Sequence, residues 1–249
     1  MKTKVRKIVL LILSAAIILL AAASLYFFRF TSSGYRMTVP YRGSFEEIAE
    51  HVYINRNYAG ERAEVLSLIG QAKERVAAFY GELQCFDTTE IIICDDAKLL
   101  KSLGGDKDTN TVPFPAKKHY ISVSAENLNL DILSHELTHA ELHTRLNNQA
   151  LKGIPTWFDE GVATQNDYRG QYSEESWRSA TDNGKNIIPL DEMDTREEFY
   201  AGEAKDRRFR YMLAKHEVYT HFADDSQLPL LSLIDELNSG KNFDSVYFR

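Results

Sequence analysis

Cysteine is almost absent from this chain: two residues in 249, Cys85 and Cys94. That excludes the disulfide-built scaffold of small secreted domains. Neither cysteine has a histidine or a second cysteine at metal spacing, so neither receives a catalytic role. The segment between them ends in Ile91-Ile92-Ile93, which reads as a strand. The ends of an extended segment lie too far apart to bridge, so two thiols are expected. Excess basic charge is missing as well, the formal net charge being −7. The first 30 residues hold five basic and no acidic residues, so the remainder carries −12. A body that acidic argues against nucleic acid as a partner and against docking on anionic lipid through a basic patch. No internal repeat or low-complexity tract appears, which excludes a stacked-repeat architecture.

Charge is also absent from Ile8 to Phe28, a run of 21 residues with Lys2, Lys4, Arg6 and Lys7 before it and Arg29 after it. At about 1.5 Å per residue such a run crosses a bilayer as a helix. The basic cluster keeps the N-terminus cytoplasmic, so the remaining chain faces outward. The rival is a cleaved signal peptide, for which Ala21-Ala22-Ala23 offers small residues. An uncleaved anchor is preferred, because the apolar run continues past that point to spanning length. The layout read here is an anchor over 1–30, a stalk over 31–43 and one domain over 44–249.

Within that domain, Glu61 to Leu83 has helical periodicity, with Val65, Leu68, Ile69, Ala72, Val76, Phe79 and Tyr80 on one face. Thr89–Cys94 reads as a buried strand, and Asp95 or Asp96 caps a short helix to Leu103. Residues 106–118 are polar and proline-bearing, which predicts a loop. His119–Ser124 alternates and predicts a half-exposed strand. After residue 160 the pattern is helical, with segments over 208–222 and 228–237.

Between these lies His135-Glu136-Leu137-Thr138-His139. On a helix, residues i and i+4 stand one above the other. Two imidazoles so placed grip one zinc ion, and the intervening carboxylate reaches its open side, where it can take a proton from a water and return it to a leaving amine. The three fixed residues alone would arise by chance in about one chain per hundred, so the setting matters. Asn127 or Asn129 can cap the segment, Asp131 sits in its first turn, and Leu130, Leu133, Leu137 and Ala140 form an apolar stripe. The histidines lie off that stripe, with Ile132 and His143. Downstream, Pro155-Thr156-Trp157-Phe158-Asp159-Glu160-Gly161-Val162-Ala163 starts another helix. It offers Glu160 as a further ligand and Gly161 as a point of close backbone approach.

This pair of segments resembles the gluzincin-type metallopeptidases, in which W-x-x-E-G-x-A follows H-E-x-x-H. The similarity covers the layout of about residues 88–240. It implies His135, His139 and Glu160 as zinc ligands and Glu136 as general base. It also implies an α+β, zincin-like fold: a small upper α/β lobe with the active-site helix and a helical lower lobe, here preceded by a transmembrane helix. Some gluzincins carry Asp four residues after the ligand Glu to orient a ligand His; here that position is Thr164, and Asp159 or Asp167 are the substitutes available. For stabilising the oxyanion, Tyr211, His216, Tyr219 and His221 are available, and the resemblance favours Tyr211.

The expectation is a membrane-anchored zinc peptidase acting on peptide or protein substrate outside the cytoplasm. The alternatives are a non-catalytic binding module on the same fold and a zinc hydrolase of a non-peptide amide. His119–Ser124 is further expected to be an exposed sheet edge beside the metal, to which a substrate adds as an extra strand.

Overall fold

In the computed structural model the chain is described over residues 2–104, 110–114, 118–223 and 229–249. It opens with α1 (Lys2–Phe30) and α2 (Ser32–Met37), then the hairpin β1 (Phe45–Ala49) and β2 (Val52–Asn55). Next come α3 (Arg62–Tyr80), β3 (Thr89–Cys94), α4 (Ala97–Ser102), β4 (Asn110–Phe114) and β5 (Lys118–Ser124). Helices follow: α5 (Leu130–Arg145), α6 (Asn148–Gly153), α7 (Thr156–Thr164), α8 (Glu174–Thr181), α9 (Arg196–Phe199), α10 (Ala204–Ala223), α11 (Leu230–Asn238) and α12 (Phe243–Tyr247). The class is therefore mixed α+β, with one sheet at the front and helices behind.

The strand order is β1-β2-β3-β5-β4. The central β2, β3 and β5 run parallel, and β1 and β4 flank them antiparallel. Parallel strands need both faces covered, and the alternation of side chains shows how. Val52, Ile54, Ile91, Ile93, Ile121 and Val123 point into a core shared with α3 and α5. Tyr53, Ile92, Cys94 and Tyr120 point the other way, against Leu100 and Leu103 at α4 and against Tyr35 and Val39.

That second core corrects two expectations at once. Residues 31–43 are a packed segment instead of an open stalk: Tyr35 and Val39 are buried, and each such side chain contributes about 1.5–3 kcal/mol through burial. Because this segment and α4 cover the outer face of the sheet, Ser122 and Ser124 are buried too. The strand expected to be half exposed is closed on both faces and paired on both sides, by β3 and β4. It is no edge. On that side the edge is β4, which lies in the stretch expected to be loop; residues 106–109 and 115–117 of that stretch fall outside the described residues.

The junction of α1 with this packed segment is tight. Thr31 Oγ1 donates to Phe27 O at 2.7 Å and accepts from Gly34 N–H at 3.1 Å. Arg42 Nη2 donates to Phe28 O at 2.8 Å. A Cβ on Gly34 would fall 2.2 Å from Phe27 O, so only glycine lets the chain double back here. Within α1, Val9–Phe30 is long and apolar enough to cross a membrane, and none of it is buried in the protein.

α3 carries Val65, Ile69, Ala72, Val76 and Tyr80 inward and stops at Gly81, whose φ is 93°; Phe79, expected on that face, is exposed. Two charged contacts fasten α5 to its surroundings. Asp131 Oδ1 accepts from Arg75 of α3 at 2.6 Å. The buried carboxylate of Glu141 accepts from the backbone N–H groups of Gln84 and Cys85, both at 2.9 Å, and from Arg145 Nε at 2.6 Å. A buried charge with that many donors is satisfied, and removing one partner would cost about 3–5 kcal/mol. One continuous core then runs from the inner sheet face through α5, α7 and α10 to α12.

Candidate metal centre

α5 starts where its sequence directs: Asn129 Oδ1 accepts from Ile132 N–H at 3.0 Å, closing the N-terminus. Its stripe of Leu133, Leu137 and Ala140 is buried in the core. Rotation by about 100° per residue then turns Ile132, His135, Glu136, His139 and His143 toward a cleft of about 800 Å³.

α7 brings the second half of the site. Trp157 and Phe158 sit in an aromatic cluster with Phe243 and Tyr247 of α12. Trp157 Nε1 also donates to Asp194 Oδ1 at 3.0 Å. With those two side chains anchored, Asp159 and Glu160 project from the cleft side. Gly161 is required because α10 passes against it: a Cβ there would meet Ala214 O at 2.6 Å and Val218 Cγ2 at 2.7 Å. The close approach expected at this glycine is thus present, with α10 as the neighbour.

The geometry brings His135, His139 and Glu160 together. His139 Nε2 lies 3.2 Å from His135 Nε2 and 3.2 Å from Glu160 Oε2, and His135 Nε2 lies 3.4 Å from the same oxygen. All three residues are buried, and together they could hold a metal ion. Burial opposes the ionised form of Glu160, but the two imidazoles outweigh it and hold its carboxyl well below the usual range. Burial likewise opposes a charge on His139, and Asp159 and Glu160 outweigh it, raising its pKa well above the ordinary value. The spot is therefore one where positive charge is strongly stabilised.

A second group overlaps the first: His139, His143 and Asp159. Asp159 Oδ1 lies 2.8 Å from His139 Nδ1, and its two oxygens lie 3.0 and 2.9 Å from His143 Nε2. Of the two carboxylates offered by the sequence as orienting groups, Asp159 takes that place. Asp167 does not: it is buried in a pair with Arg169. Thr164 turns its hydroxyl back onto the Glu160 carbonyl.

One participant had no sequence signal. Tyr200, just after α9, donates to Glu160 Oε1, and the Tyr211 ring stands edge-on to that of Tyr200 with centroids 6.5 Å apart. The Thr195–Glu198 capping box that starts α9 is readable in sequence, but nothing there points forty residues back to Glu160. Tyr211 lines the cleft with its ring centroid 5.9 Å from that of His135. Burial and the neighbouring Glu160 raise its pKa, so it stays a donor. The other oxyanion candidates do not line the cleft: His216 stacks on Trp177, His221 stacks on Tyr247, and Tyr219 is exposed. Both cysteines are buried and unbridged, with burial pushing the Cys85 thiol up to about 12 and the Cys94 thiol up to about 11.

Compared with known proteins, the chain matches no family model and no curated sequence.

Proposed function

We propose that this protein is a zinc-dependent peptidase of gluzincin type, anchored in a membrane by α1 with its cleft outside the cytoplasm. The observation that carries the reading is the triangle of His135 Nε2, His139 Nε2 and Glu160 Oε2, with edges of 3.2–3.4 Å. Ligands about 2.0–2.1 Å from a tetrahedral zinc stand about 3.3–3.4 Å apart, so the three atoms fit that ion without rearrangement. Asp159 is placed to accept from His139 Nδ1, so that with a metal bound Nε2 would be the ligating atom.

When bound, the ion would act as a Lewis acid toward a carbonyl oxygen and lower the pKa of a water. The protein's own residues do the rest. Glu136 accepts the proton of the attacking water on its carboxylate and passes it to the departing amine nitrogen. Tyr200 holds the second oxygen of Glu160, keeping the first turned inward. Tyr211 donates a hydrogen bond from its hydroxyl to the developing oxyanion and keeps its proton. An extended substrate lies along β4, the outer strand, which packs close to α5. The basic residues at the start of α1 set the orientation across the membrane.

Glu136→Gln tests this reading. The amide preserves shape but cannot take the proton, so the variant should retain one zinc per chain by elemental analysis. Its peptide hydrolysis should fall by about 10²–10⁴-fold. A variant as active as the wild type would show that Glu136 is not the base.

A further inference from the structure

The cleft has an arginine-rich lining in an acidic protein. Arg169, Arg196, Arg207 and Arg208 all border it, whereas its carboxylates are Glu136, Asp159 and Glu160, in or beside the donor cluster. Arg169 is neutralised by Asp167. Among the described residues the other three have no carboxylate at ion-pair distance. Arg196 lies over the Tyr200 ring at 5.1 Å, and Arg207 Nη1 donates to Gly202 O at 3.2 Å. The neighbouring carboxylates are engaged elsewhere. Glu198 closes the capping box on Thr195, Asp206 accepts from Glu203 N–H, and Glu203 pairs with Lys205.

We propose that these arginines select peptides carrying acidic side chains close to the scissile bond, an inference that rests on the peptidase reading above. Guanidinium groups bind carboxylates through paired N–H donors. Three guanidiniums without a carboxylate partner among the described residues can take more than one carboxylate. A run of Asp or Glu side chains supplies several, whereas a single chain terminus supplies one. The net charge of −7 makes the contrast sharper: an acidic substrate is repelled by most of the surface and attracted only at the cleft, which orients its approach.

The test uses the full chain in detergent, zinc-loaded and carrying Glu136→Gln so that binding is read without turnover. The probes are fluorescent peptides of one sequence bearing a short run of Glu, Gln or Lys. The Glu peptide should bind about tenfold or more tighter than the Gln peptide, with the gap closing as salt rises. In R207E/R208E the order should invert, the Lys peptide binding best, a result that misfolding does not produce. Equal binding of Glu and Gln peptides, or a Glu preference unchanged in R207E/R208E, would overturn the inference. So would binding that disappears when the peptide's C-terminus is amidated. The wild type is assayed for cleavage in parallel: acidic preference in binding without any cleavage would count against the peptidase reading alone.

Discussion

The two donor groups that meet at His139 are built from the same residue types and differ in what they leave unfinished. In the group with His143, Asp159 stands within hydrogen-bonding distance of both imidazoles and bridges them. In the group with His135, two Nε2 atoms and a carboxylate oxygen face each other across 3.2–3.4 Å; the outer Nδ1 atoms of His135 and His143 are alike in being buried without a partner among the described residues. Three potential ligand atoms converge there on one point. A carboxylate that bridges two imidazoles is arranged as a support; three ligand atoms facing one another are arranged as a cradle that could hold a cation. Burial and composition do not separate the two, but the placement of the facing atoms does.

That contrast can be broken most severely at the shared residue. His139→Ala removes a member of both groups, and zinc content measured by elemental analysis should fall from about one ion per chain to nearly none. Full zinc in that variant would mean that the cradle lies elsewhere. Asp159→Asn should act more mildly. It keeps the three ligating atoms but loses the charge that orients His139, and the loss of such partners costs about 10–100-fold in metal affinity. Competition with a chelator of known strength measures it, and an unchanged affinity would remove Asp159 from the site. The smallest effect is expected at the outer contacts. In His143→Ala, Asp159 still accepts from His139, and in Tyr200→Phe one oxygen of Glu160 loses its donor. Each should weaken zinc binding by less than about tenfold in the same assay. A loss as large as that of His139→Ala would erase the distinction between support and cradle.

Much of the cradle was legible because helical periodicity is local. His135, Glu136 and His139 need only one turn of α5 to share a face, and Glu160 and Gly161 need only the start of α7. Asp159 was one of two open choices, and folding alone decided against Asp167 by burying it beside Arg169. Tyr200 was not legible, since its bond to Glu160 depends on where α9 lands after a long excursion. The sheet was read well at Thr89–Cys94, where an apolar run implies cover on both faces. It was misread at His119–Ser124, where alternation implies one wet face. The serines there are dry because Tyr35, Val39, Leu100 and Leu103 close that side, a long-range contact that no window on the strand contains.

The junction between α1 and the packed segment after it has a mechanical meaning. Arg42 and Thr31 bind the last carbonyls of α1, and Gly34 folds the chain directly onto Phe27. With α1 set in a bilayer, the body is mounted on a bracket and not hung on a string. Under the proposed anchoring, the cleft would ride at one height and one tilt above the lipid, and the bilayer would act as a ruler, measuring a substrate by its distance from the membrane before the cleft reads its chemistry.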